Sequence, residues 1–494
     1  MNSTTIRSIS IGLALLLLAP SALAQTEEDV LGFSTLTHGS SARSLGMAGA
    51  FGALGADPSA AVINPAGMAL YSTSEFSITP SFDVQRADAK HYGFNGTGTD
   101  HRFYFNNLLV QFAARGDAGS KWTNFSFGIS YDRLASNNWE RQVEAEGVNS
   151  SIAQAFAAEA NGTPYGMVDS ILPYSAGLAW LAYAIDPLDT TGFTYTSAIP
   201  SGSLVDQTHT ISSAGNVRSW NLFFAASRMD ELFIGGSIGI HGVRNERITT
   251  HVETTVDEDL PLEKLTYKEN LLTTGMGFDI KLGAVMRAGD AARFGLAFHS
   301  PIWLSLTDGY TTEMRTAFRD NGDRFNFESP EGNFNYRART PLRVVASGAV
   351  IVGKVGTISA DYEFADFRHM RLNHATGDIG AYDFSEENGI IKERFTVQHH
   401  VRVGTEWRIA SKVYLRGGVG YWPDPYVDED PRGGEALMRY TGGIGYRTQR
   451  WSLDFAGLYG SRTAGYYQYN PNFVEPTTET LTETKVFVTF SYRP

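Results

Sequence analysis

The chain has 494 residues, a net charge of −13 at pH 7 and no cysteine. Without cysteine, a disulfide framework, a thiol-linked lipid anchor and cysteine-based chemistry are excluded. The acidic balance leaves no basic face to neutralise phosphates, so no nucleic-acid partner is expected. Glycine and aromatic residues are abundant, with 51 Gly, 30 Phe, 23 Tyr and 8 Trp, and this composition favours strands over helices.

Residues 1–24 have the features of a secretory signal peptide. Arg7 lies in a short polar start, the apolar run "IGLALLLLA" follows, and Ala22 and Ala24 have the spacing that signal peptidase requires. We therefore expect an exported chain whose mature form begins at Gln25. No later stretch approaches the roughly eighteen continuous apolar residues of a membrane-spanning helix.

Residues 25–72 form a segment of small residues with little alternation, and it contains the run "NPAG" at 64–67. An Asn side chain can cap a helix, and Pro fits the first helical position because its missing N–H has no partner there. We expect Asn64 to cap a short helix that begins at Pro65 and runs through Met68 to Leu70. The segment lies between the signal peptide and the first strand, where it could fill a barrel as a plug.

From residue 73 to the end, apolar and polar residues alternate as they do in strands with two different faces. In 411–422, for example, Val413, Leu415, Val419 and Tyr421 are apolar, while Arg416 and three glycines lie between them. Fourteen candidate strands follow from such patterns, at 74–85, 102–114, 121–134, 214–228, 231–244, 270–287, 292–304, 338–352, 355–366, 394–409, 412–422, 436–448, 450–460 and 482–493.

The connections between these candidate strands decide between a soluble sandwich and a membrane barrel. Short turns alternate with long loops at 86–101, 135–213, 245–269, 305–337, 367–393, 423–435 and 461–481, the last of which precedes the final strand. Short turns on one side and long loops on the other are typical of bacterial outer-membrane barrels. The sequence therefore predicts an all-β fold, an antiparallel transmembrane β-barrel of about fourteen strands over 73–494. The loop 135–213 has a possible helix at 151–160.

Charged residues on the less apolar faces of the late strands are predicted to point into the lumen. They carry both signs, so we interpret them as pairing with one another or with the plug, because isolated buried charges are costly. An ion-selective constriction would instead carry one dominant sign. The predicted lumen-facing charges are Asp361, Glu363, Arg402, Glu406, Arg408, Arg416, Arg439, Arg447 and Asp454.

No catalytic constellation stands out, so the chain is not expected to be an enzyme, and no cofactor or metal site is expected. The glycines at 46, 49, 52 and 55 do not have the dinucleotide-binding spacing. His399 and His400 are neighbours on opposite faces of a strand and cannot chelate one ion together. The acidic run at 424–431 could bind Ca²⁺ through its carboxylates, but a solvated loop is the preferred interpretation.

The run "SARSLGMAGAFGALGADPSAAVINPAGMA" at 41–69 resembles the N-terminal hatch of the FadL/TodX family of outer-membrane transporters for hydrophobic compounds. The mark of that hatch is an Asn-Pro-Ala triplet after a small-residue segment and an Asp. Here the triplet is Asn64, Pro65 and Ala66, followed by Gly67, and the Asp is Asp57. The stretches 340–367 and 399–425 resemble late strand pairs of the same family. The ending "FSYRP" departs from the terminal aromatic that is typical of outer-membrane assembly signals.

The resemblance implies a fourteen-strand barrel with an N-terminal hatch, in the cell outer membrane, that takes up long-chain fatty acids or aromatic hydrocarbons passively. It implies that Asp57, Asn64, Pro65, Ala66 and Gly67 act in the hatch. The implied partners are a small hydrophobic ligand, outer-membrane lipid and lipopolysaccharide, and the outer-membrane assembly machinery. An alternative remains open, an interaction or adhesion barrel whose long extracellular loops bind a partner.

Overall fold

The computed structural model describes residues 26–36, 39–188, 192–320, 322–375 and 382–494. The predicted signal peptide, 1–24, lies outside the described residues. Most of the described chain forms one antiparallel sheet, and the first strand pairs with the last, for example Phe76 with Tyr492. This pairing closes the sheet into a barrel and leaves no free edge at the seam. The prediction of an antiparallel barrel of fourteen strands is confirmed.

The barrel strands follow one another around the wall in chain order, and each pairs with its neighbours in sequence. Three of them consist of two segments each. The fourteen strands are β1 (Glu75–His91), β2 (Phe94–Arg115), β3 (Trp122–Ser136), β4 (Val205–Arg228), β5 (Leu232–Thr255), β6 (Leu262–Ala288), β7 (Ala292–His299 and Trp303–Phe318), β8 (Gly332–Arg339 and Arg343–Val352), β9 (Gly356–Asp366 and Arg371–His374), β10 (Val397–Arg408), β11 (Val413–Trp422), β12 (Leu437–Arg447), β13 (Trp451–Tyr466) and β14 (Thr477–Tyr492).

Several strands extend well beyond the predicted ranges. The predicted long loop at 86–101 is instead a hairpin, in which β1 and β2 continue to a tight turn at Tyr92 and Gly93, both with positive φ. β5 likewise runs to Thr255 and β6 begins at Leu262. The sequence prediction was wrong here because these extensions carry polar residues on both faces, so alternation is lost although the hydrogen-bond ladder continues.

The outward side chains explain why those extensions are polar. On β4, Trp220, Leu222 and Phe224 are exposed on the outer face, and Arg218 is the next outward residue. On β5 the outward apolar residues end before Arg244. A barrel needs an apolar outer band about 25 Å tall to match the bilayer. We therefore place the border of the membrane at Arg218 and Arg244, and the rest of β4 and β5 outside it.

In the late strands the two faces differ as predicted. Leu415, Val401 and Phe455 are 49%, 40% and 44% exposed, as outward residues must be, while Arg402 and Arg416 are 0% and 4% exposed. The period-2 alternation in β10, β11 and β13 is thus confirmed.

Three neighbouring strands are interrupted at one level of the wall, at 300–302 in β7, 340–342 in β8 and 367–370 in β9. The predicted continuous strands at 292–304 and 338–352 are wrong at this point. Pro301 and Pro341 cause the breaks in β7 and β8 because proline cannot donate to the ladder. The Ile302 N–H donates to Thr340 Oγ1 (2.9 Å) and the Thr340 N–H donates to Ile302 O (3.2 Å), so the two strands remain joined.

The helices lie in the N-terminal segment and in the loops, and the helix expected at 151–160 is present. Short strands outside the barrel order are Trp139–Val148, which pairs with β4, Arg324–Glu328, which pairs with β7, and the pair Ile185–Pro187 and Tyr195–Ser197. No helix of the described residues is both long and apolar enough to cross a membrane. The helices are α1 (Glu27–Ser34), α2 (Ala42–Leu45), α3 (Ala60–Ile63), a 3₁₀ helix (Pro65–Leu70), α4 (Ile152–Ala160), α5 (Val168–Ile171), α6 (Ala176–Leu181), a 3₁₀ turn (Phe367–His369) and α7 (Ser385–Arg394).

Candidate functional site

The NPAG run forms a corner in the N-terminal segment, by which we mean residues 26–36 and 39–72. Asn64 Oδ1 accepts a hydrogen bond from the Ala66 N–H (3.2 Å), and Pro65 is the first residue of the 3₁₀ helix. The predicted cap is therefore present. Asn64 Nδ2 also donates to Gly52 O (2.8 Å) and to Ala284 O of β6 (3.2 Å), so the same side chain ties the corner to the barrel wall.

The wall residues that lie against this corner are glycines. A Cβ at Gly283 of β6 would lie 2.0 Å from Asn64 Oδ1, and one at Gly235 of β5 would lie 2.5 Å from Pro65 O. The two glycines are cross-strand partners. The corner can approach the wall only because neither position has a side chain. Ala66 and Gly67 are buried within the same contact.

Asp57 braces the segment internally. It is 3% exposed, and its carboxylate accepts hydrogen bonds from Ser41 Oγ (2.8 Å) and from the Ser59 N–H (2.9 Å). Ser59 Oγ in turn accepts from the Ser40 N–H (2.8 Å). Asp57 thus joins the start of α2 to the turn before α3, and it keeps the two ends of the small-residue stretch together.

A chain of ion pairs joins the N-terminal segment to the late strands. Arg43 pairs with Glu406 of β10 (2.8 Å), Glu406 pairs with Arg416 of β11 (2.6 Å), and Arg416 pairs with Asp454 of β13 (2.7 Å). Burial lowers the pKa of the Arg43 guanidinium, but the attraction and hydrogen bond of Glu406, together with attraction from Asp57 and Asp454, raise it overall above its usual value. The segment therefore supplies one of the charges that balance the inner wall.

A second buried group surrounds Arg402 of β10, which pairs with Glu363 (3.2 Å) and Asp361 (3.5 Å) of β9. Asp361 also accepts hydrogen bonds from the backbone N–H groups of Phe51 (3.1 Å) and Gly52 (3.0 Å). Opposite charges in this group thus neutralise one another, and the carboxylate holds the segment.

The remaining predicted lumen charges are nearer the two ends of the barrel. Arg439 of β12 pairs with Glu483 of β14 (2.5 Å), and the guanidinium of Arg447 lies 5.1 Å from the ring centre of Tyr414. Arg408, in contrast, is exposed. Arg408 is the last residue of β10, on the same face of the strand as Arg402 and Glu406 and next to the short turn to β11.

A cavity of about 1230 Å³ lies above the N-terminal segment, on the side of the long loops. Its floor is α1, whose acidic first turn is paired: Arg432 reaches Glu27 (2.6 Å) and Glu28 (3.0 Å), and Arg247 of β5 lies 3.6 Å from Asp29. Its wall is aromatic as well as charged, with lining residues that include Trp139, Arg141, Tyr174, Tyr310, Trp422, Tyr426 and Tyr466.

The acidic run at 424–431 forms part of the cavity rim. Asp430 pairs with Arg432 (2.9 Å). Burial would raise the pKa of Asp430, but hydrogen bonds and attraction from Arg432 lower it overall. Of the residues that the structure describes, no group of three or more His, Asp or Glu side chains is placed to hold a metal ion.

Apolar side chains continue from the cavity floor into the barrel. Leu36 lines both the large cavity and a second cavity of about 30 Å³, which Val62, Ile63 and Leu134 also line. These residues and Phe33 belong to one apolar cluster or pack against it. The cluster therefore connects the large cavity to Leu134 at the end of β3.

Leu134 lies beside a gap in the wall. The β2–β3 ladder stops at the pair Asn107 and Asp132, although β2 continues to Phe94 and pairs there only with β1. The chain after β3 folds inward instead, and Trp139–Val148 crosses the inner face of β2 so closely that a Cβ at Gly98 would lie 2.1 Å from Glu140 O.

Arg133 fills this gap. Its guanidinium lies 4.0 Å from the ring centre of Tyr104 on β2 and donates to Asp83 (2.6 Å) and Ser81 (3.2 Å) of β1. One side chain of β3 thus replaces the missing ladder with a cation–π contact and a buried ion pair.

The sequence alone gives no signal that would identify Arg43, Arg133 or the acidic turn of α1. Arg133 follows Asp132, and both are buried because the register shifts between Arg133 and Ala135, so alternation gives no signal there. Pro301 and Pro341 did offer a signal, since a proline inside a strand indicates a break.

The fold is similar to solved structures that include two toluene transporters and a FadL homologue. The toluene transporter TodX of P. putida has a TM-score of 0.53 at 11% identity and covers 93% of this chain and 99% of its own. The toluene transporter TbuX of Ralstonia pickettii has a TM-score of 0.51 at 15% identity, with 92% and 99% covered. A FadL homologue of Pseudomonas aeruginosa has a TM-score of 0.52 at 14% identity, with 92% and 98% covered.

No protein-family model matches the chain, and no curated protein matches it in sequence. At these low identities the likeness concerns the fold, and it extends over nearly the whole chain. The resemblance drawn from the NPAG run and the late strand pairs is thereby confirmed for the architecture: this chain has the fold of the FadL and TodX barrels.

Proposed function

We propose that this chain is an outer-membrane channel for the passive uptake of hydrophobic compounds, either long-chain fatty acids or aromatic hydrocarbons. The solved structures of similar fold include two toluene transporters. The proposal fits the enclosed interior, because removal of apolar area from water supplies about 25 cal/mol per Å² and requires no catalytic group.

The observation that carries the proposal is the position of Leu36. This side chain lies between the large cavity and the small one, and the apolar cluster around it extends to Leu134 beside the gap between β2 and β3. A hydrophobic solute that enters from the long-loop side would meet α1 first, then Leu36, then the gap. The gap leads through the wall, so the solute could leave sideways without crossing the segment to its far end.

In this proposal the segment 25–72 acts as a hatch. Asn64, Pro65, Ala66 and Gly67 form its fixed corner, and Asp57 holds its two halves together. The part that must yield is α1, which is held by the ion pairs of its acidic first turn and by the buried side chains of Val30 and Phe33.

The proposed location is the outer membrane, reached by export through the signal peptide at 1–24 and insertion by the outer-membrane assembly machinery. Outer-membrane lipid and lipopolysaccharide are then the surroundings of the wall. The exposed apolar bands of β4 and β5 and their polar extensions support this location.

Uptake in cells tests the proposal. A strain that lacks the protein is complemented with wild type, with Leu36→Trp, or with Leu415→Trp as a control on the outer face. Labelled oleate and toluene serve as tracers. We expect Leu36→Trp to reduce uptake of at least one tracer to the level of the strain without the protein, because the larger ring fills the contact between the cavities, whereas Leu415→Trp should transport normally.

Equal uptake of both tracers in all four strains would overturn the proposal. The adhesion alternative would then be favoured, and its own measurement is binding of intact cells to surfaces before and after proteolytic trimming of the long loops.

A further inference from the structure

The outer wall carries an unusual group of arginines on β8 and β9. We infer that Arg337, Arg339 and Arg371, together with Arg368, form a binding surface for the phosphates of the lipid A headgroup in the outer leaflet. This inference rests on the proposed outer-membrane location and specifies one of the lipid contacts that the proposal implies.

The first step is the height of the group relative to the membrane. Arg339 is the cross-strand partner of Trp303, which is 39% exposed on the outer face. The ring of Trp303 packs 5.0 Å from that of Phe278, and Leu342 is exposed just below. Tryptophan marks the interface of a membrane protein. Arg339 therefore lies at the level of the headgroups, and Arg337 lies one outward position further from the bilayer.

The second step is the pairing of like charges. Arg339 is directly opposite Arg371 across the β8–β9 ladder, and Arg337 is on the same face two residues away. Like charges in directly opposed positions destabilise a sheet. The adjacent residues on the two strands, Tyr336, Ala338 and Leu372, are buried and carry no charge that could neutralise these arginines. An anion between the two guanidinium groups would remove this repulsion.

The third step is a comparison with other outward arginines. Each of four has a carboxylate partner two residues along its own strand: Arg86 with Asp88 (2.8 Å), Arg102 with Asp100 (3.0 Å), Arg244 with Glu246 (3.5 Å) and Arg315 with Glu313 (2.6 Å). On β8 the residue two positions from Arg337 is a second arginine. Within the described part of the chain, no ion pair is recorded for Arg337, Arg339 or Arg371.

The fourth step is the local charge balance. Arg368 follows in the 3₁₀ turn of β9 and pairs with Asp366 (2.7 Å), which also contacts His369 (3.0 Å). Arg371 is held in place because its guanidinium donates to the carbonyl groups of Arg368 and Met370. Four arginines and one aspartate give this patch a positive charge in a chain whose net charge is −13. Arginine binds phosphate oxygens through two parallel hydrogen bonds, so bisphosphorylated lipid A is the partner that fits the charge and the height of this surface.

Native mass spectrometry of the purified full chain in detergent tests this surface. The probes are bisphosphorylated lipid A and the same lipid with its phosphates removed. The variant is Arg337→Gln, Arg339→Gln and Arg371→Gln combined. The matched control is Arg218→Gln, which removes a single exposed arginine at the same border on β4 that likewise forms no ion pair with another described residue.

We expect wild type and Arg218→Gln to bind bisphosphorylated lipid A equally, and the triple variant to bind it at least tenfold more weakly, since each arginine at an anionic surface adds about a fivefold factor in affinity. Lipid without phosphates should bind wild type as weakly as the triple variant binds the intact lipid. The thermal midpoint of wild type, but not of the triple variant, should rise with bisphosphorylated lipid A.

Equal binding by the triple variant and wild type, or an equal loss in Arg218→Gln, would overturn the inference. Displacement of the lipid by an equal concentration of inorganic phosphate would overturn it too, because the surface would then be a free-phosphate site. Arg337→Gln alone repeats the test at the most exposed position in case the triple variant does not fold. Tracer uptake is measured in parallel, so failure of lipid binding and failure of transport are distinguished.

Discussion

The barrel wall is irregular in two regions, and the two are supported differently. At the breaks in β7 and β8 the strands remain joined by hydrogen bonds between Ile302 and Thr340. The N-terminal segment also contacts this part of the wall, because Ile63 O lies 2.9 Å from His299 Nε2 of β7. At the gap between β2 and β3 no ladder remains beyond Asn107 and Asp132, and Arg133 spans the opening while Trp139–Val148 lies against the inner face of β2.

These contacts indicate which of the two regions could separate during the proposed transport. At the proline breaks β7 and β8 are still joined by hydrogen bonds, so the two strands cannot separate unless these bonds are lost. At the β2–β3 gap, by contrast, the Arg133 side chain can move without the loss of a β2–β3 ladder hydrogen bond. The proposed exit for solute is therefore at β2 and β3, whereas β7–β9 remain a fixed wall.

The largest expected effect comes from removing Arg133. Arg133→Ala leaves Asp83 buried without its partner, and breaking one side of a buried pair costs about 3–5 kcal/mol in the free energy of unfolding. Urea unfolding of the protein in lipid vesicles measures this loss. The double variant with Asp83→Ala should recover part of it, and a double variant no more stable than Arg133→Ala would show that the ion pair is not what closes the gap.

A substitution in a regular part of the wall provides a reference for the loss in the free energy of unfolding expected of Arg133→Ala. Phe455→Arg places a charge on the lipid face of β13, where we expect a cost of roughly 2–4 kcal/mol near the midplane of the bilayer. The same unfolding assay applies, with Phe455→Leu as the control of similar polarity. If Phe455→Arg were tolerated like Phe455→Leu, the register assigned to β13 would be off by one residue.

The fixed region should respond more weakly to a single change. Thr340→Val keeps the shape of the side chain but removes the acceptor for the Ile302 N–H, and an unsatisfied buried donor costs about 1–3 kcal/mol. We expect lower stability with unchanged tracer uptake. An increase in uptake would contradict the view that only the β2–β3 side opens.

The smallest expected change in stability concerns the corner. Asn64→Ala combined with Pro65→Ala removes a cap worth about 1 kcal/mol and the bond to Ala284, while the barrel stays folded. Uptake of a hydrophobic tracer should change relative to wild type, whereas binding of a loop-directed antibody should not. Unchanged uptake would mean that the corner has no part in transport.

The features that could be predicted from the sequence depend on residues close together in the chain. The alternation of β10, β11 and β13 is visible because one face meets lipid, and the Asn64 cap is visible because its partner, Ala66, is two residues away. The bonds that hold the segment are not visible in this way. Arg43 and Glu406 are 363 residues apart, and Asn64 and Ala284 are 220 residues apart, so only the closed barrel brings them together.

The hairpin at 86–101 was missed for the opposite reason. Its strands leave the bilayer and face water on the outside, so neither period nor composition separates them from a loop. Its tight turn has positive φ at both Tyr92 and Gly93, and a tyrosine in a sequence does not indicate a turn of this kind. Alternation of apolar and polar residues therefore predicted the strands within the bilayer but not their extensions outside it.

The side chain of Thr489 on β14 joins three parts of the chain at the seam of the barrel. Thr489 Oγ1 accepts a hydrogen bond from the Ala42 N–H of α2 (2.7 Å) and lies 2.8 Å from Thr79 Oγ1 of β1. A residue of the N-terminal segment and the first and last strands thus meet at one atom. Because this contact needs β1 and β14 side by side, the N-terminal segment has all of its contacts with the wall only in the closed barrel.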